Sequence, residues 1–158
     1  MQAQQLQILQ SMPIFGGIRD DTLEILLEDS VVISVPEGEF LFRENDPGES
    51  MYILEAGRVA ILKLWKRIYY RLSFLSVGDC IGEMSLIDLG RRSASVLAMT
   101  DCRAIELTND SLLKLHEVDL EQFALIQMNM GRELSRRLRV ADEALFRELI
   151  QTNQIRPH

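Results

Sequence analysis

Histidine and cysteine are scarce, with two of each in 158 residues. A structural or catalytic metal cage needs three or four such ligands at short spacing, so neither a metal nor a cofactor is expected. No serine or cysteine has a histidine base at a recognisable spacing, which leaves nucleophilic catalysis without a proton acceptor. An enzyme is therefore not expected. Cys80 and Cys102 read as small buried hydrophobes, with a redox pair as the open alternative. Positive charge is also in deficit: 17 Lys and Arg against 24 Asp and Glu give a net charge of −7. That sign opposes non-specific binding to nucleic acid, which rests on neutralising phosphates. Long apolar runs are missing too, so no segment is expected to span a bilayer. The opening MQAQQLQILQ lacks the basic and apolar regions of a secretory signal. The expectation is a cytoplasmic protein without a membrane partner.

What is present is ordinary for a globular chain, 47% hydrophobic and 26% charged, and long enough for one core. Residues 1–14 read as an N-terminal arm with Leu6 and Leu9 as a weak helical stripe. Asp20, Asp21 and Thr22 form an N-cap cluster ahead of Leu23, Leu26 and Leu27, which predicts a helix near residues 21–28. From Val31 the chain turns β-branched, and short strand candidates follow one another to Leu107, punctuated by Pro36, Gly38, Pro47-Gly48, Gly57 and Gly78. Short strands without long intervening helices predict antiparallel sheets folded as a roll, sandwich or barrel. The turn near Lys66 and Arg67 lacks the glycine or asparagine that a tight two-residue loop favours. An enzyme with its metal on such a roll would need several histidines on neighbouring strands, and this chain has none there.

Beyond Leu107, Asn109-Asp110-Ser111 can cap a short helix through His116, and Asp119 opens a long one over residues 120–150. In it Phe123, Ile126, Met130, Leu134, Leu138, Ala141, Leu145 and Leu149 recur every three or four residues. One small roll cannot cover a stripe of about 45 Å, so a partner helix is expected to bury part of it as a homodimer. Arg132, Arg136, Arg137 and Arg139 have two readings, a solvated helix face or a patch reaching a ligand.

Residues 78–96, GDCIGEMSLIDLGRRSASV, carry the chemistry. Gly82-Glu83 read as the start of a short helix, where free N–H groups and the dipole favour an anion. Arg92 adds a planar fork of donors suited to two phosphate oxygens, and Ser93 a hydroxyl. A carboxylate such as Glu83 is a poor phosphate ligand and a good acceptor for ribose hydroxyls. Together they suggest a phosphorylated ribose.

This order of elements and two of its stretches resemble the cyclic nucleotide-binding domain family. FLFRENDPGESMYILEAGRVAIL looks like its glycine-punctuated strands, and residues 78–96 look like its phosphate-binding cassette. The resemblance implies a mainly β fold, an antiparallel double-stranded β-roll (jelly roll) with an N-terminal helix, a short cassette helix and a long C-terminal helix. Domain bounds follow as an arm over 1–14, the roll with its flanking helices over 15–118, the long helix over 119–150 and a tail over 151–158. It further implies that Glu83 takes the ribose 2′-hydroxyl and Arg92 the cyclic phosphate, with Ser93 and Ala94 beside it. Gly82, Met84 and Ser85 would close the backbone around sugar and phosphate, and Ile61, Leu72 and Ser73 would form the facing wall. Arg137, Ala141 and Asp142 fall where bacterial relatives approach the base.

The implied ligand is a 3′,5′-cyclic nucleotide, cyclic AMP ahead of cyclic GMP, with occupancy relayed along the long helix and an effector protein or domain as the implied recipient. Hydroxyl residues stand in bacterial activators where this chain has Ala141 and Asp142, so Asp142 is open between accepting from a base amine and facing water. Only residues 151–158 follow the long helix, too few for a helix-turn-helix, so this stretch by itself is not expected to read DNA. The alternative is a degenerate scaffold that keeps the roll and the dimer helix and binds no nucleotide. Arg92 would then be a surface arginine paired with Asp88 or Glu83, and Glu83 a helix-start residue favoured by the dipole.

Overall fold

The computed structural model of the chain describes residues 2–88, 90–150 and 155–157, and for Ser85 and Asp88 the backbone alone. The glutamine-rich start forms helix α1 (Gln2–Ser11), which buries Leu9. A 3-10 turn (Pro13–Phe15) begins at the proline, whose missing N–H costs nothing at a helix start. Helix α2 (Asp20–Glu28) buries Leu23, Leu26 and Leu27, and Asp20 and Asp21 stand in its first turn, where the dipole favours them. Eight strands follow among the described residues: β1 (Val31–Val35), β2 (Phe40–Phe42), β3 (Ser50–Ala56), β4 (Val59–Trp65), β5 (Ile68–Leu75), β6 (Cys80–Ile81), β7 (Ser95–Ala98) and β8 (Cys102–Thr108). Helix α3 (Glu83–Asp88) sits between β6 and β7, and α4 (Asn109–Val118) and α5 (Leu120–Leu149) close the chain.

The strands form two antiparallel four-stranded sheets, ordered β1-β8-β3-β6 and β2-β7-β4-β5. This is the expected β-roll, with helices before the strands, in the cassette and after the strands. Within strand β3, SMYILEA, the central Met51–Leu54 are apolar with no polar alternate. Tyr52 and Leu54 point between the sheets with Val59, Val96 and Ala104. Met51 and Ile53 point outward under α1, α2, α4 and the start of α5. A strand covered on both faces needs hydrophobes at every position.

The β4–β5 hairpin closes in a two-residue loop, with Trp65 opposite Ile68. Lys66 and Arg67 both adopt positive φ, at 48° and 66°, the primed-turn pattern that glycine and asparagine normally fill. Left-handed backbone costs an ordinary residue about 1 kcal/mol, offset here by seven paired positions between the strands.

Capping differs from expectation at α4: the cap is Thr108, whose hydroxyl accepts from the Ser111 N–H, one residue earlier than the Asn-Asp-Ser cluster. Asp119 caps α5 by accepting from the Gln122 N–H and also pairs with Arg19. The first third of α5 is anchored, since Asn129 donates to the carbonyls of Ile14 and Gly16 at 3.2 and 2.9 Å. Past Met130 no described α5 residue is buried, and the helix runs on with one side over the roll.

Candidate functional site

A cavity of about 550 Å³ opens between the roll and α5. Its floor is the connection from β6 into α3. Gly82 makes the turn with φ of +80°, and a Cβ there would lie 2.3 Å from Arg92 Nη1. Only glycine permits that approach. It brings the Gly82 carbonyl to 3.2 Å from Arg92 Nη1, which donates to it.

Arg92 is 4% exposed. Its guanidinium stacks over the Phe42 ring, 4.2 Å from the centroid. Its backbone is clamped from the 43–47 turn, donating to Asp46 O and accepting from Asn45 N at 2.9 Å each. Nε is buried without a hydrogen-bond partner, and the side chain is in no ion pair among the described residues. Burial pulls the guanidinium pKa below its ordinary value. A desolvated cation with an orphan donor beside a cavity is an anion site in waiting, because leaving such a donor unpaired is costly.

Glu83, 5% exposed, begins α3 and is met across the cavity by Arg137 of α5 in a short ion pair. Arg137 also reaches Glu133 at 3.5 Å, and Glu133 is bridged by Arg136. The Arg136 hydrogen bond holds the Glu133 carboxyl below its usual range. Lys63 steadies the exit of the cassette: its Nζ donates to Ser93 O at 2.8 Å and lies 3.4 Å from Glu44.

Ten of the expected site residues line the cavity. Gly82, Glu83 and Met84 come from the α3 start, Arg92, Ser93 and Ala94 from the return to β7, Ile61 and Ser73 from β4 and β5, and Arg137 and Ala141 from α5. The Ser85 side chain lies outside the described residues.

Two of the expected site residues lie off the cavity. Leu72 is 61% exposed and faces away. Alternation along β5 puts Ser73 and Leu75 on the cavity side, and a bulge between Ile61 and Leu62 leaves Leu72 without an opposite residue. Asp142 is exposed and off the cavity. Arg137, Val140, Ala141 and Ala144 share the cavity face of the helix, and the residue after Ala141 is turned about 100° from it.

The scaffold reading made Arg92 a surface residue, but it is buried and Glu83 pairs with Arg137, while the Asp88 side chain lies outside the described residues. Sequence reasoning missed Phe42, Leu75, Cys80 and Val140 as lining residues. Strand alternation from Ser73 would have found Leu75, and helical spacing from Arg137 would have found Val140. Cys80 is buried, and burial pushes its thiol well above the ordinary value, as the hydrophobe reading requires.

A family model described as the cyclic nucleotide-binding domain matches residues 32–119, more than half of the chain. The chain belongs to the cyclic nucleotide-binding domain family. The cyclic AMP receptor protein of Thermus thermophilus is 30% identical over 135 residues, 85% of this chain and 61% of that protein. The chain thus spans about three fifths of that relative's length. Among solved structures, the regulatory domain of Toxoplasma gondii PKA, crystallised with cAMP, superposes with a TM-score of 0.67 at 25% identity, covering 71% of this chain and 43% of that one. A cyclic nucleotide-binding domain from Methylobacillus flagellatus covers 99% of this chain and 86% of its own, with a TM-score of 0.79 at 22% identity, a likeness of fold. These relatives are receptors and regulatory domains rather than enzymes. Among the described residues of this cyclic nucleotide-binding domain, no helix is long and apolar enough to cross a membrane.

Proposed function

We propose that this domain is a cytoplasmic sensor that binds a 3′,5′-cyclic nucleotide, cyclic AMP in preference to cyclic GMP, and passes occupancy to an effector through α5. The observation that carries it is Arg92, a buried guanidinium with an unpartnered Nε beside the start of α3. A cyclic phosphate would accept from Arg92, from the Ser93 hydroxyl and from N–H groups at the α3 start. Charge supports a phosphodiester. Arg92, Arg136 and Arg137 face Glu83 and Glu133 in the site, one positive charge in excess, which one phosphodiester monoanion neutralises.

Glu83 would accept from the ribose 2′-hydroxyl on the carboxylate that Arg137 already holds, while Ile61, Leu75 and Val140 give the base apolar walls. The preference for adenine rests on the relatives named for cAMP. The Arg137–Glu83 pair ties α5 to the cassette. A nucleotide that reorganises this pair shifts the helix by its differential affinity for the two arrangements. Homodimerisation through α5 would complete the lever.

Titration calorimetry with cyclic AMP and cyclic GMP tests the reading. The parent chain should bind both, cyclic AMP more tightly, and Arg92→Ala should weaken binding at least about 100-fold, as expected for losing a charge-assisted bidentate contact. No heat from either nucleotide on the parent would return the scaffold reading.

A further inference from the structure

The β4–β5 hairpin is unlike the rest of the molecule in charge and in surface. Residues 63–71 read KLWKRIYYR, four cations and no carboxylate in a chain whose net charge is −7. The rest of the chain is correspondingly more acidic. Lys63 is engaged by Glu44 and Ser93, whereas Lys66, Arg67 and Arg71 enter no ion pair among the described residues. Every residue from 63 to 73 is exposed. Trp65 is 65% exposed, Leu72 61% and Ile68 56%, with Leu64, Tyr69 and Tyr70 beside them. Because neighbouring residues of a strand point to opposite faces, exposure at every position from Leu64 to Ile68 means that the tip projects from the roll, with Tyr69 reaching back to Phe40 and Arg43 behind it.

We propose that this hairpin tip is a docking element for an anionic phospholipid surface. Three observations select that occupant. Tryptophan and tyrosine beside lysine and arginine is the composition that settles at the membrane–water interface, rings at headgroup depth and cations among the phosphates. The tip is exposed with apolar side chains on both faces, Trp65 and Ile68 on one and Leu64 and Tyr69 on the other, so a protein partner would have to clasp it in a cleft, whereas a lipid interface surrounds a protrusion without one. The charge is also segregated: an anionic surface attracts the tip and repels the acidic remainder, which fixes the orientation of approach.

A second copy of the chain fits less well. Two-fold pairing along the β5 edge, where the sheet ends, runs antiparallel, so the two tips would lie at opposite ends of the pair with Trp65, Lys66 and Arg67 of each still uncovered. Docking of this kind needs no spanning helix. Neither Lys66 nor Arg67 lines the nucleotide cavity, so the element stands apart from the site proposed above.

Trp65 is the only tryptophan of the chain and reports on the tip directly. The 158-residue protein is mixed with phosphatidylcholine vesicles containing about one-third phosphatidylglycerol, and with pure phosphatidylcholine vesicles. The proposal expects co-sedimentation with the anionic vesicles, a blue shift of Trp65 emission and protection from a soluble quencher. It expects little binding to the neutral vesicles, and release at about 0.5 M salt, where charges are screened within several ångströms. K66E/R67E should bind at least about tenfold more weakly, with its thermal unfolding and cyclic AMP titration showing that the fold persists.

Equal binding to neutral vesicles, full binding by the double variant, or no shift with anionic vesicles overturns the proposal. A blue shift on raising protein concentration alone would assign the tip to a second copy. A blue shift with a soluble alternating Val-Glu peptide, and none with vesicles, would assign it to an acidic protein strand.

Discussion

Arg92 and Gly82 form one unit at the scale of single residues. The arginine can lie buried over Phe42 because the position facing Nη1 has no side chain. Gly82→Ala would put a methyl group 2.3 Å from Nη1 on a backbone at φ +80°. The substitution should lower stability by about 1–2 kcal/mol and displace the guanidinium. Calorimetry should then show weakened cyclic nucleotide binding in a protein whose chemical-denaturation midpoint has also fallen. The types at both positions were legible in the sequence, since a glycine before a helix start and an arginine nine residues after a glutamate suit an anion. That Arg92 is buried and unpaired was not legible, because it depends on Phe42, fifty positions away in the strand that pairs with β7.

Elements show where local rules held and where they gave way. The long helix begins at Asp119, whose carboxyl is held below its usual range, first by the Arg19 hydrogen bond and then by the Gln122 N–H. A carboxyl with a depressed folded pKa contributes stability above its unfolded value, near pH 4, and loses it as pH falls through the folded value. Thermal unfolding followed from pH 7 downward should therefore decline below about pH 4, and Asp119→Asn should be less stable at pH 7 with a flatter acid limb. In the β4–β5 hairpin the turn chemistry is unfavourable, with Lys66 and Arg67 at positive φ. Lys66→Asn/Arg67→Gly should raise stability by about 0.5–1 kcal/mol in denaturant titrations. The same double variant should lose binding to anionic vesicles, separating what the turn does for folding from what its cations do.

The whole molecule leaves the outer half of α5 uncovered. Leu138, Leu145 and Phe146 remain 56–62% exposed, a stripe with helical spacing along one side of the helix. Sedimentation equilibrium should show a homodimer, and Leu138→Glu/Leu145→Glu should shift it toward monomer while calorimetry still finds the nucleotide site on the roll. Spin labels on the outer half of α5 should report a changed helix-to-helix distance on saturation with cyclic AMP. An unchanged distance would remove α5 as the relay.

Taken by itself, the sequence determined the order of elements and the chemistry of the cassette. Hydrophobic period, turn residues and the spacing of Gly82, Glu83 and Arg92 are local properties that survive being read along a line. Only the tertiary structure decided which side of each element meets the ligand. Ser73 turns in while Leu72 turns out because of a bulge in the partner strand, and Ala141 turns in while Asp142 turns out because α5 is fixed in rotation by Asn129 against the Ile14 and Gly16 carbonyls. The pairing of Glu83 with Arg137 likewise exists only once the anchored helix crosses the roll, since 54 positions of chain separate the two charges. One residue of register or a quarter turn of helix exchanges inside for outside, and contacts between distant elements set both.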